Sequence, residues 1–127
     1  AQLGELKADL EALTDVAIKA DVMSEASLAA AMARADLIVH CTPIGMHPRV
    51  EASVVPPELF RSGQVVFDIV YTPLETKLLA DARAKGLKVI SGVEMFINQA
   101  ALQFEQFTGA EAPIEEMRRV VMEHLKS

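Results

Sequence analysis

Residues 64–92 read QVVFDIVYTPLETKLLADARAKGLKVISG, and the fold turns on this stretch. Gln64–Val70 is an apolar run of strand length. After Tyr71, the tetrad Thr72-Pro73-Leu74-Glu75 has the form of a capping box, with proline at the first helical position. The helix so begun is predicted to end at Gly86, in the usual place for a left-handed cap. Leu87–Ile90 then reads as another short apolar strand, closed by Ser91-Gly92. Apolar strands alternating with helices predict a parallel sheet covered by helices on both faces.

The flanking sequence continues the pattern. Upstream, Leu3, Leu6, Leu10 and Leu13 give residues 2–13 a helical period, which Thr14-Asp15 breaks before a strand candidate at Val16-Ala17-Ile18. Ser24 is positioned to cap a second helix running through Arg34, with Leu28 and Met32 on one face. Leu37-Ile38-Val39 is an unbroken apolar strand of the kind buried on both faces. Pro43, Gly45, Pro48, Pro56 and Pro57 mark residues 42–57 as a long loop. Downstream, a helix over about 93–107 carries Phe96, Ala100, Phe104 and Phe107 as a stripe expected to face the core. Beyond Gly109 and Pro113, a last helix is expected to turn Ile114, Met117, Val121 and Leu125 inward. No repeat, linker or low-complexity tract interrupts the chain, so it reads as one domain.

Bulk properties narrow the function. At 127 residues the chain is one domain at most, half apolar and a quarter charged. A net charge of −6 argues against a nucleic-acid or anionic-membrane surface, although a few local donors suffice for a phosphorylated cofactor. No apolar run approaches the ~20 residues needed to span a bilayer. The start AQLGELKADL lacks the pattern of a signal peptide, and the single cysteine, Cys41, fits a reducing compartment. A cytoplasmic protein is the default expectation.

In parallel α/β sheets, ligands bind beyond the carboxyl ends of the strands. Three such ends carry unusual sequence. In His40-Cys41-Thr42-Pro43-Ile44-Gly45-Met46 a strand runs into a hydroxyl, a proline and a glycine; a plain turn and a ligand loop both fit. In Phe67-Asp68-Ile69-Val70-Tyr71 an aspartate inside a buried strand needs a partner, so Asp68 either caps backbone N–H groups or supports a site. Tyr71, at that strand's end, is either a rim aromatic or a hydroxyl offered to a substrate. In Ser91-Gly92-Val93-Glu94-Met95-Phe96-Ile97-Asn98-Gln99, Gly92 offers bare backbone on which a flat ring can lie. Met95 and Gln99, one turn apart, share a helix face beside the same edge; a semi-exposed polar face is the plainer reading.

Taken together, HCTPIGM, DIVYTPLET and GVEMFINQAALQF resemble, in order and spacing, the motifs of the shikimate dehydrogenase family. The resemblance runs from about Ala35 to Gly109. It implies an incomplete Rossmann-like, NADP-binding domain over residues 1–127, with NAD as the alternative cofactor. It further implies Thr42 near the cofactor's ribose and nicotinamide side, Ile69 and Gly92 offering backbone to the nicotinamide, and Met95 packing on its ring. Tyr71 and Gln99 would bond the hydroxyls or carboxylate of shikimate or 3-dehydroshikimate, in a reversible reduction of the ketone by NADPH. An NAD-preferring quinate/shikimate dehydrogenase and a non-catalytic binding module of the same fold are the competing readings.

Two departures from the family stand out. His40 occupies the place of its usual asparagine, which puts that residue's loop-bracing bonds in question. No G-x-G-x-x-G-like loop occurs, nor the family's Asn-Arg-Thr phosphate reader, nor the lysine and aspartate of its amino-terminal catalytic domain. The chain alone is therefore expected to be inactive. If Val16–Ile18 is a strand of the usual 3-2-1-4-5-6 order, the strands between it and Leu37–Val39 are missing. The expectation is that another chain fills the gap, a homodimer included, or that the first strand repacks.

Other chemistries fit poorly. His40, Cys41 and His47 have no zinc-site spacing. Cys41 as a nucleophile with its sequence neighbour His40 fails, since adjacent residues point to opposite faces of a strand. His124 is most simply a favourable charge at a helix C-terminus.

Overall fold

The computed structural model describes residues 2–126, and the chain divides into two compact units, Ala1–Ala31 and Met32–Ser127. In the first unit, α1 (Gln2–Glu11) sets Leu3, Leu6 and Leu10 along a shallow groove that Ile18 and Ala20 also line. Val16–Ile18 is not a strand, and Val16 is exposed. Val16 and Ile18 favour extended backbone, but so short a run forms a strand only where its ladder hydrogen bonds find partners. The expected strand at Val16–Ile18 is thereby corrected.

Ser24 caps α2 (Glu25–Met32) as expected. Its Oγ accepts from Ser27 N at 3.1 Å, while Ser27 Oγ accepts from Ser24 N at 2.9 Å. The helix closes at Met32, one half-turn short of Arg34.

The second unit holds β1 (Leu37–His40), a short 3-10 turn at Pro57–Leu59, β2 (Val65–Asp68), α3 (Lys77–Ala84), β3 (Lys88–Ile90), α4 (Gly92–Thr108) and α5 (Ile114–Lys126). All strand pairs are parallel, in the order β1-β2-β3, with Leu37 opposite Val65, His40 opposite Asp68 and Phe67 opposite Ile90. This is the expected α/β, Rossmann-like parallel sheet, incomplete. Val66 of the central strand is fully buried, as are Leu78, Leu79 and Ala82 of α3 and Val93 and Ile97 of α4. Gly86, at φ +74°, closes α3 in the predicted left-handed conformation.

Gln64 anchors the entry to β2. Its buried amide Nε2 donates to Met32 O and Ala35 O, both at 2.8 Å, and its Oε1 accepts from Arg61 N at 2.7 Å. It satisfies carbonyls that the end of α2 leaves without intrahelical partners.

Four details depart from expectation. α3 starts at Lys77 with Thr76 as its cap, not at Pro73 with Thr72. Thr76 wins because its hydroxyl serves two neighbours at once, accepting from Leu79 N and donating to Asp68. On α4 the inward stripe is Val93, Ile97 and Ala101; Phe96 is part-exposed and Phe107 is 85% exposed. Ile114 of α5 is exposed, while Met117, Val121 and Leu125 are half-buried. Finally, Leu37 and Val39 are 55% and 48% exposed, so β1 is not buried on both faces. β1 is an edge strand among the described residues, and no further strand shields it.

Candidate functional site

All three strands run the same way, so their carboxyl ends share one edge of the sheet. Cys41 and Thr42 follow β1, Ile69–Tyr71 follow β2, and Gly92 opens α4 two residues after β3. A cavity of about 340 Å³ lies at this edge, lined by Thr42, Met46, Ile69, Val70, Tyr71 and Thr72 among others. Its volume is in the range of small-molecule sites. Thr42, Ile69 and Tyr71, singled out from sequence, thus line one space.

Gly92 is buried and does not line the cavity, but its backbone packs against Ile69 and Val70, which do. A Cβ built there would lie 2.3 Å from Ile69 O and 2.5 Å from Val70 O, so only glycine lets α4 start against the end of β2. Met95 follows in the first turn of α4, half-buried, and Gln99 lies one turn on, exposed; neither lines the cavity.

Behind the rim is a buried polar chain. His40 and Asp68 face each other across β1 and β2, with Nδ1 and Oδ1 3.0 Å apart and exposures of 4% and 0%. The other ring nitrogen of His40, Nε2, lies 2.5 Å from Thr42 Oγ1. Asp68 Oδ1 also accepts from Val70 N at 3.0 Å, and Oδ2 accepts from Thr76 Oγ1 at 2.6 Å. Asp68 therefore does both things left open by sequence: it caps backbone and it supports the rim of the cavity. His40 thus ties the loop residue Thr42 to Asp68 of β2, with one ring nitrogen toward each.

Tyr71 stacks on Phe96, with ring centroids 5.0 Å apart and an interplanar angle of 22°. The pair also borders a second, apolar cavity of about 430 Å³ shared with Val120, Val121, His124 and Leu125 of α5. Sequence reasoning assigned Phe96 to the core and missed this role; its place one residue after Met95, on the cavity side of α4, was the available signal. Among the described residues no cluster of three or more histidine, cysteine or acidic side chains can hold a metal ion. Nor is any described helix long and apolar enough to cross a membrane.

The family model for the shikimate 5'-dehydrogenase C-terminal domain matches residues 92–122. An NADP(+) shikimate dehydrogenase of Moorella thermoacetica is 48% identical over 101 residues, covering 80% of this chain and 34% of that enzyme. The chain belongs to the shikimate dehydrogenase family. Within that family, the shikimate 5-dehydrogenase of Thermus thermophilus, solved with NADP(H) and shikimate, superimposes with a TM-score of 0.66 at 39% identity. The match covers 72% of this chain and 34% of that one. The quinate dehydrogenase of Corynebacterium glutamicum, solved with NAD, gives 0.72 at 35% identity, covering 77% and 34%. The chain spans about a third of the length of these shikimate dehydrogenase relatives.

Proposed function

We propose that this chain is the cofactor-facing part of an NADP-dependent shikimate dehydrogenase, which reversibly reduces 3-dehydroshikimate to shikimate in the cytoplasm. One observation carries the proposal: Thr42, Ile69 and Tyr71 line a single cavity at the strand ends, and the bare backbone of Gly92 rests against Ile69 and Val70. Flat, mostly apolar walls with a hydroxyl at either side suit a pyridine ring next to a polyhydroxylated substrate.

When bound, the nicotinamide supplies the hydride that passes to or from the substrate's carbinol carbon. The chain's own residues supply geometry. Thr42 faces the ribose and nicotinamide side, Ile69 and Gly92 offer backbone, and Met95 packs from the first turn of α4. Tyr71 and Gln99 hydrogen-bond the substrate. Among the described residues no lysine or carboxylate lines the cavity, so the proton exchanged with the substrate oxygen is handled by residues outside this chain. Residues 1–127 then act as a partial NADP-binding domain, and a further polypeptide segment, from the parent protein or a second copy, completes the edge of β1. Oxidation of a quinate-type alcohol to its ketone, with NAD taking up the hydride, is the second reading, favoured by the likeness to the quinate dehydrogenase.

The test is to titrate the chain with NADP+ and shikimate, reading backbone amide shifts, and then to assay turnover with and without the remainder of the M. thermoacetica enzyme as a second polypeptide. Shifts at Thr42, Ile69, Tyr71 and Gly92, with turnover only in the mixture, are expected. Turnover by the chain alone would overturn the division of labour, and silence toward both ligands would overturn the assignment. Parallel titration with NAD and quinate decides the second reading.

A further inference from the structure

We infer that His40 sets the hydrogen-bond polarity of Thr42, turning its hydroxyl into an acceptor that favours a donor-bearing pyridine ring in the strand-end cavity. The inference rests on the nicotinamide reading above and adds a positioning residue to it.

The argument starts at Asp68. Its carboxylate accepts from Val70 N and Thr76 Oγ1, and it is the neighbour of His40 Nδ1 at 3.0 Å. A carboxylate can only accept, so the hydrogen of the imidazole sits on Nδ1. In the neutral ring Nε2 is then a lone pair. That lone pair lies 2.5 Å from Thr42 Oγ1, so the threonine hydroxyl is the donor of the contact. With its only proton given to His40, Oγ1 keeps two acceptor positions. Ile44 N takes one, at 3.3 Å. The other is left on a residue that lines the cavity.

The consequence is a chemical preference. A ring bearing a carboxamide N–H₂ can donate to that oxygen. A ring bearing an acetyl group offers only an acceptor and sets lone pair against lone pair. In His40→Asn the shorter side chain can still donate to Asp68 but no longer reaches Thr42. The hydroxyl is then free to turn and donate, and the preference falls.

Because the chain lacks a glycine-rich phosphate loop, mononucleotides are the suitable probes. Long-range nitrogen–proton NMR of the His40 ring in the free chain should show the neutral form protonated on Nδ1. Nicotinamide mononucleotide should bind about tenfold more tightly than its 3-acetylpyridine counterpart, the discrimination one neutral hydrogen bond provides. The ratio should approach one in His40→Asn, and in Thr42→Val it should do so with the His40 ring still protonated on Nδ1. Should His40→Asn fail to fold, Thr42→Val and the ring spectrum carry the test. A ring protonated on Nε2, or equal binding of the two pyridines by the unmodified chain, would overturn this inference while leaving the proposed function standing. Binding of neither pyridine beside an intact Nδ1–H ring would instead overturn the proposed function, and with it the ligand preference.

Discussion

His40 and Asp68 occupy opposed positions in the parallel register of β1 and β2, and their side chains meet at 3.0 Å with almost no exposure to solvent. The contact joins two of the three strand ends and links, through Thr42 and Thr76, the cavity rim to the cap of α3. Burying such groups is tolerable only because each is paired.

Replacing Asp68 should accordingly be among the most damaging single changes. In Asp68→Asn one side-chain oxygen becomes a donor facing groups that themselves donate. Loss of about 2–3 kcal/mol is expected, from leaving buried polar groups unsatisfied. Denaturant unfolding measures it, and a change below half that range would show that the network relaxes around the substitution.

The cap of α3 gives a graded test. Thr76→Ala removes the acceptor for Leu79 N and the donor for Asp68 Oδ2. A cost of about 1–2 kcal/mol is expected. Thr76→Ser should recover most of it, because the hydroxyl is what both neighbours use, whereas Thr72→Ala should leave the unfolding midpoint nearly unmoved.

Gly92→Ala places a methyl within 2.3–2.5 Å of two backbone carbonyl oxygens. Neither is the tip of a flexible side chain, so α4 must shift away from β2. We expect about 1–3 kcal/mol or more of destabilisation. Amide shifts should concentrate at Ile69, Val70 and Val93; an alanine variant with unaltered stability and spectrum would contradict the packing at this junction.

Gln64→Leu keeps the size of the side chain and deletes its hydrogen bonds. Met32 O and Ala35 O lose a buried donor, and Arg61 N loses its acceptor. Thermal unfolding should reveal a loss of about 1–3 kcal/mol. The backbone of residues 32–36 should exchange its amide hydrogens faster than in the parent chain.

Tyr71 separates packing from chemistry. Tyr71→Phe retains the stack on Phe96 and should preserve stability, whereas Tyr71→Leu should lose about 0.5–1.5 kcal/mol with the aromatic pair. If the hydroxyl contacts substrate as proposed, Tyr71→Phe should nonetheless weaken shikimate binding several-fold, which a titration detects.

The sequence by itself determined the alternation of strands and helices, the serine cap of α2, the glycine that ends α3, and the three strand ends where a site would lie. These follow from local chemistry: apolar runs, side chains that cap, and a residue without a Cβ. Only the tertiary structure decided which competing local signals prevail. Two threonines, Thr72 and Thr76, each precede a helix-forming run; Asp68 reaches one of them. α4 carries adjacent apolar stripes whose spacing is equally helical, and the close seat of Gly92 on β2 fixes the rotation that sends Val93, Ile97 and Ala101 inward. Val16–Ile18 reads as a strand yet forms none, and Leu37 and Val39 read as buried yet lie on an edge strand among the described residues. Periodicity reports spacing along the chain, but which face is covered depends on what stands beside it.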